Sequence, residues 1–304
     1  MKKEYVILFS LLLLCSCQTF NTIRKISVTM IMPTEGFHTQ IPFLIDSTRS
    51  LFIATTWNNN TKPYYLKIDN HAPTAVDSYY IHTDKLRYVG AVSIPKRTPE
   101  GKKFKQKYYS LDNMHIGNLE LKNVSFLQLP YNYAALRKHY IGLLGNNILS
   151  HCVVMIDFRD STLHLASHID SLNTDPESLV PMNTRFFLSR ITFPKFHINK
   201  KSKKMQLDLG YNGDLLLKHS DFRDIDKNNT AKIKKGKAIT VMGTESATYK
   251  LLDSASVKSG SLQTTTSVLN NSIVEKNLVG LNFFSMFDFV IIDYPGKKLY
   301  VSRQ

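Results

Sequence analysis

The chain has 304 residues, 43% of them hydrophobic, which is enough for one large or two modest domains and excludes a chain disordered throughout. Lys and Arg number 39 against 24 Asp and Glu, a formal net charge of +15. Such a surface suits anionic headgroups or acidic polymers. The two lysine clusters, Lys200-Lys201-Ser202-Lys203-Lys204 and Lys232-Ile233-Lys234-Lys235-Gly236-Lys237, have no nucleic-acid module around them and read as solvated hairpin loops.

At the N-terminus, Lys2-Lys3 precede a short apolar run that ends at Leu14. This is the charged-then-apolar layout of a secretory signal, too short to span a bilayer as a mature helix. Leu14-Cys15-Ser16-Cys17 resembles a bacterial lipobox, which implies cleavage before Cys17 and acylation of that residue. Residues 1–16 are then a signal peptide and 17–36 a lipid-anchored tether. Cys152 becomes the one thiol of the mature chain, which excludes a structural disulfide. Within Cys152-Val153-Val154-Met155-Ile156 it reads as a small buried hydrophobe, with adjacent His151 on the opposite strand face.

Ile41-Pro42-Phe43-Leu44-Ile45 and Leu51-Phe52-Ile53-Ala54-Thr55-Thr56-Trp57 are rich in β-branched and aromatic residues and predict strands. Asn58-Asn59-Asn60-Thr61-Lys62-Pro63 predicts a turn, after which the alternating strand Tyr65-Leu66-Lys67-Ile68 delivers Asp69. A helical turn is expected near 74–80 and an exposed hairpin or loop over 93–107. A meander follows, built from Tyr108-Tyr109-Ser110-Leu111, Met114-His115-Ile116 and Leu119-Glu120-Leu121, with its turn at Gly117-Asn118.

Asp175-Pro176-Glu177 and Pro181 place a boundary near 166–182, which divides the chain into an N-terminal lobe over 37–170 and a C-terminal lobe over 171–304. The second lobe opens with a strand over 185–193. Met205-Gln206-Leu207 then delivers Asp208, and a meander runs through Ile239-Thr240-Val241-Met242, Ala247-Thr248-Tyr249-Lys250-Leu251 and 254–257. Long helical periodicity is absent, and short helices are expected near 132–138, 146–151, 219–223 and 282–286.

One stretch occurs twice. Leu143-Leu144-Gly145-Asn146-Asn147-Ile148-Leu149 runs on to Met155-Ile156-Asp157-Phe158, and Leu278-Val279-Gly280-Leu281-Asn282-Phe283-Phe284 runs on to Ile291-Ile292-Asp293-Tyr294. Each copy closes with a turn and a short strand, and each is preceded by a strand that ends in Asp, Asp69 in one half and Asp208 in the other. Repetition of this size implies two similar lobes made by an internal duplication. Gly145 and Gly280 are expected where strands approach closely, and Asp157 and Asp293 as acceptors in turns.

With one strand-terminal Asp per lobe and a later aliphatic-aliphatic-Gly strand, residues 40 to 303 resemble the aspartic peptidases, in particular the two-lobed pepsin-like or retropepsin-like proteins of Gram-negative bacteria. The resemblance implies an all-β, two-lobed acid-protease β-barrel fold with a peptide-binding cleft between the lobes. It also implies a catalytic dyad of Asp69 and Asp208, no cofactor or metal, and a peptide or protein substrate. The protein is then a monomer held to the cell envelope through its N-terminal lipid, without a nucleic-acid partner.

The family places Thr or Ser and then Gly after each Asp. Here Asp69 is followed by Asn70-His71 and Asp208 by Leu209-Gly210. Asn70 can partly replace the hydroxyl as a hydrogen-bonding group and Leu209 cannot, so at most one half of the clamp between lobes is expected to survive. His71 crowds a turn that Gly accommodates through its wider backbone range. Two carboxylates sharing a proton can hydrolyse a peptide as acid and base. If His71 drives them apart, the chain is a catalytically inactive peptide- or protein-binding module instead. His164 and His168, four apart without a neighbouring carboxylate motif, do not read as a metal site.

The lipobox reading carries its own test. Cys17→Ser is expected to release the protein from membranes, read by fractionation and by loss of metabolic lipid labelling.

Overall fold

A computed structural model describes residues 30–33, 36–58, 60–95, 103–129, 140–228, 230–240, 243–272 and 276–303. The signal segment, Cys17, most of the tether and the helix expected near 132–138 lie outside the described residues.

The chain is mostly β. Strands β1 (His38–Ile45), β2 (Leu51–Trp57), β3 (Tyr64–Asp69) and β4 (Ala75–Val76) precede helix α1 (Ser78–Thr83). Then come β5 (Arg87–Pro95), β6 (Lys103–Ile116), β7 (Leu119–Gln128), β8 (Gly142–Gly145), α2 (Asn146–Leu149), β9 (Val153–Asp157) and β10 (Thr162–Ala166). Two 3₁₀ turns, Ile169–Leu172 and Pro176–Ser178, lead to β11 (Leu179–Pro181), β12 (Arg185–Phe187), β13 (Arg190–Ile198), β14 (Lys201–Asp208), β15 (Leu215–Leu216) and α3 (His219–Ile225). The chain ends with β16 (Lys232–Thr240), β17 (Gly243–Ser259), β18 (Leu262–Asn271), β19 (Leu278–Gly280), α4 (Leu281–Phe284), β20 (Phe289–Asp293) and β21 (Lys298–Ser302).

Two closed six-stranded barrels result. The first runs β2-β3-β8-β4-β7-β6 and closes where β6 pairs with β2; the second runs β13-β14-β19-β15-β18-β17 and closes where β17 pairs with β13. The orders correspond strand for strand, which is the architecture the repeat predicts. Closure follows from period-2 patterning: in β14 Lys203, Met205 and Leu207 point inward while Lys204 stays outside, and in β7 Leu119 and Leu121 alternate with exposed Glu120 and Lys122. Trp57 stacks on Tyr64 at 4.5 Å inside the first barrel, and Phe193 and Phe196 meet edge-on at 5.4 Å inside the second.

A third, antiparallel sheet joins the lobes in the order β1-β10-β9-β20-β21-β11. At its centre Met155 of β9 faces Ile291 of β20, flanked by Asp157 opposite Phe289 and Val153 opposite Asp293. The repeated strands therefore meet each other about a local twofold axis. Asp157 and Asp293 serve as turn acceptors, taking the Asp160 N–H at 2.9 Å and the Gly296 N–H at 2.7 Å.

Several expectations change. The lysine clusters are not loops: Lys201 to Lys204 lie in β14, and Lys232 to Lys237 lie in β16, an edge strand whose charges discourage pairing with another chain. The strand expected over 185–193 is two strands joined at Leu188, whose φ of 53° makes the turn. The helical turn expected from 74 begins later, at Ser78, because Asp77 caps it by accepting the Tyr79 N–H. The meander pieces around 108–116 and 247–257 fuse into the long strands β6 and β17, and the hairpin expected over 93–107 is the β5–β6 pair.

Gly145 and Gly280 each sit where a Cβ would strike backbone. At Gly145 it would lie 2.2 Å from the Pro73 carbonyl carbon and the Thr74 nitrogen, and at Gly280 2.2 Å from the Gly213 oxygen. Both glycines let the loop that follows an aspartate cross the strand beside it. Gly145→Ala and Gly280→Ala are each expected to destabilise the fold by about 3 kcal/mol or to prevent folding, since backbone cannot move aside as a side chain can; urea denaturation measures it.

Candidate active site

The first aspartate stands at the end of β3, which runs parallel to β8 with Asp69 opposite Gly145; the second stands at the end of β14, parallel to β19 with Asp208 opposite Gly280. After each aspartate the chain turns, and the following loop is fastened beneath the glycine strand. In the first lobe Asn146 N–H donates to Ala72 O at 2.8 Å and Thr74 N–H to Asn147 Oδ1 at 2.7 Å. In the second, Leu281 N–H donates to Tyr211 O at 2.9 Å and the Asn282 amide to Asp214. Asn147 and Asn282 are thus a matched pair, two residues after each glycine.

The two turns meet between the barrels. Asn70 is buried, accepts the Leu209 N–H at 2.7 Å and donates to Leu207 O at 3.5 Å, so one residue of the first lobe brackets Asp208 from both sides in sequence. Leu209 makes no reciprocal side-chain bond and is packed in the core. One half of the clamp exists, supplied by Asn70.

Both carboxylates receive backbone donors. His71 and Ala72 N–H groups reach Asp69 Oδ1 at 2.9 and 3.1 Å, and Gly210 N–H reaches Asp208 Oδ1 at 3.0 Å. Gly210 also lies against the other aspartate: a Cβ there would stand 2.5 Å from Asp69 Cγ. His71 occupies the matching place in the first lobe and carries its ring to Asp208, Nδ1 to Oδ2 at 3.4 Å. Its Nε2 contacts the Gln206 amide. His71 therefore covers Asp208 without displacing the turn from the second lobe.

Burial is the largest influence on Asp69, and the charge of Asp208 adds to it. The backbone donors and the Lys67 ammonium pull the other way, and the balance raises the Asp69 carboxyl to about 6. Lys67 is buried and donates to Gly210 O at 2.7 Å, a second tie between the lobes.

No protein-family model and no curated protein matches this chain.

Of the expected site residues, Asp69, Asn70, His71, Asp208, Leu209, Gly210, Gly145 and Gly280 converge, while Cys17 lies outside the described residues. Cys152 is free and buried, donates to Ile148 O, and burial pushes its thiol up to about 12, which leaves it inert at neutral pH. His164 stacks on His38 with its Nδ1 3.0 Å from His38 Nε2. Sequence reasoning passed over Lys67, Gln206 and Asn212. Lys67 had a signal, a lone cation in an apolar strand on the same face as Asp69. Asn212 had none; it reaches across the lobes to Thr48 O and Ser50 Oγ, both at 2.8 Å.

A raised carboxyl means the folded state binds the proton more tightly than the unfolded chain does. The resulting stability is full below the ordinary value of 3.8 and is lost as pH rises through about 6. Asp69→Asn removes the ionisation. It is expected to stabilise the protein by about 2 kcal/mol near neutral pH and to change nothing below pH about 4, measured by urea denaturation at both.

Proposed function

We propose that the chain is an aspartic-peptidase-like hydrolase that holds an extended peptide between its two barrels and cleaves it with Asp69 and Asp208. The observation that carries this reading is the meeting of two aspartate-bearing turns from corresponding places in the two lobes, tied to one another by Asn70, with burial and the neighbouring charge of Asp208 raising the Asp69 carboxyl to about 6. In the reaction Asp208 takes a proton from water as the water oxygen attacks the peptide carbonyl carbon, and Asp69 donates its proton to the carbonyl oxygen. Asp208 then gives its proton to the departing amine nitrogen as the C–N bond breaks, while Asp69 takes back a hydroxyl proton of the gem-diol as the carbonyl re-forms, which restores both carboxyls. Lys67 and the backbone donors at Asp69 keep that carboxyl from rising further, so it can cycle between its two forms. The N-terminal motif extends the proposal to a protein anchored by lipid in the cell envelope.

A second reading has its own observation. His71 lies over Asp208 where the second lobe has Gly210, and an imidazole there occupies space next to the base that attacking water needs. On this reading the cleft binds peptides without cutting them.

Cleavage of a mixed peptide library separates the two. The natural protein is expected to cleave weakly, with activity falling as pH rises through about 6 because Asp69 loses its proton. His71→Gly is expected to raise kcat/KM about tenfold by uncovering Asp208, and Asp208→Ala to abolish cleavage. Silence of both the natural protein and folded His71→Gly would leave only the binding module.

A further inference from the structure

A cavity of about 480 Å³ opens on the second barrel, and Gln206, two residues before Asp208 on the same strand, forms part of its wall. Gln206 is also the residue whose amide contacts His71. Along β14, Lys204, Gln206 and Asp208 project on one face while Lys203, Met205 and Leu207 project on the other. Lys204 and Gln206, on the Asp208 face, both line the cavity. Four residues of strand separate Asp208 from Lys204, about 13 Å, which is the span of four residues of an extended peptide.

The wall is cationic. Arg190, Lys203, Lys204, Lys218 and Lys276 all line it, against the single carboxylate of Asp221. That carboxylate is already committed, bonded by Lys203 at 3.0 Å and by Asn277 at 2.8 Å, with Lys218 at 3.5 Å. Asp224 also takes Lys203, at 2.6 Å. Arg190, Lys204 and Lys276 are exposed and have no ion pair among the described residues. Asn277 fixes the floor, donating to Lys204 O at 3.1 Å and accepting the Lys218 N–H at 3.0 Å.

We infer that this cavity is the recognition site for acidic side chains of a cleft-bound peptide, on one side of the bond at the aspartates. The inference rests on the cleft being a peptide site, and it adds the substrate class: peptides carrying Asp or Glu within about four residues of that bond. Three cations that line one cavity and have no ion pair among the described residues select for negative charge and reject Lys- or Arg-rich segments through like-charge repulsion.

Equilibrium binding tests it without requiring cleavage. A fluorescein-labelled extended peptide rich in Asp and Glu is compared with its Asn and Gln counterpart by polarisation, using the full-length protein and the triple variant Arg190→Glu, Lys204→Glu, Lys276→Glu. These side chains are exposed, so the variant is expected to fold. The acidic peptide is expected to bind about tenfold more tightly at low salt, with the advantage shrinking at high salt and vanishing in the triple variant, while the amide peptide binds both proteins alike. Equal affinity of the two peptides, or an acidic advantage that survives charge reversal, would overturn the inference. So would displacement of the acidic peptide by a single-stranded oligonucleotide or by anionic vesicles at matched charge, which would make the groove a general polyanion surface. An acidic preference in a protein that never cleaves would uphold this site and reject hydrolysis; cleavage indifferent to acidic residues would do the reverse.

Discussion

Two barrels with separate closures fix the distance between their aspartates only if something rigid crosses from one turn to the other, and here that bridge is the buried Asn70 amide. It accepts from Leu209 N–H and donates to Leu207 O. Each bond contributes about 1 kcal/mol net, but breaking either strands a buried backbone group at about 1–3 kcal/mol, so the geometry is held more by the penalty of leaving than by the gain of forming. The bridge works because the central sheet brings the lobes into register first. β9 and β20 pair about Met155 and Ile291, and apolar residues of both barrels join in one buried cluster.

The pseudo-symmetry breaks where chemistry would use it. Leu209 gives up a hydroxyl for core packing, so the second lobe contributes no side chain to the clamp. His71 gives up the small size that Gly210 keeps, and Asp208 is covered as a result. Lys67 meanwhile places an ammonium near Asp69 from two residues before it and ties the turn to Gly210 O. The two carboxylates therefore have unequal surroundings: Asp69 has burial and backbone donors, Asp208 has a ring across one face. Of the two, Asp69 is the one whose burial and charged neighbour raise its carboxyl, to about 6.

The repeat was legible because each of its parts answers a steric demand that few residues meet. Gly145 and Gly280 must admit backbone at contact distance, and the two aspartates must end strands that lie parallel to them. Asn70 was legible as half of a clamp because an amide can accept and donate as a hydroxyl does. Lys203 was misread because a run of lysines looks solvated, although its alternation with Met205 and Leu207 placed it inward, where Asp221 and Asp224 neutralise it. The Gln206–His71 contact could not be read at all. Each residue sits unremarkably in its own lobe, and only the closing of the lobes sets one against the other.

The excess of positive charge also acquires a direction. Lysines on the edge strand β16 discourage that edge from pairing, whereas those around Gln206 line a cavity on the second barrel. On the proposed reading, recognition of acidic side chains and protonation of Asp69 make opposing demands on pH: Asp and Glu in a bound peptide are ionised only above about 4, and the Asp69 carboxyl holds its proton only below about 6. The two ranges overlap in a band of roughly two pH units. Within it, on that reading, the cavity would meet charged ligands while Asp69 is still protonated, so the burial that raises Asp69 would also bring binding and chemistry into the same acidity.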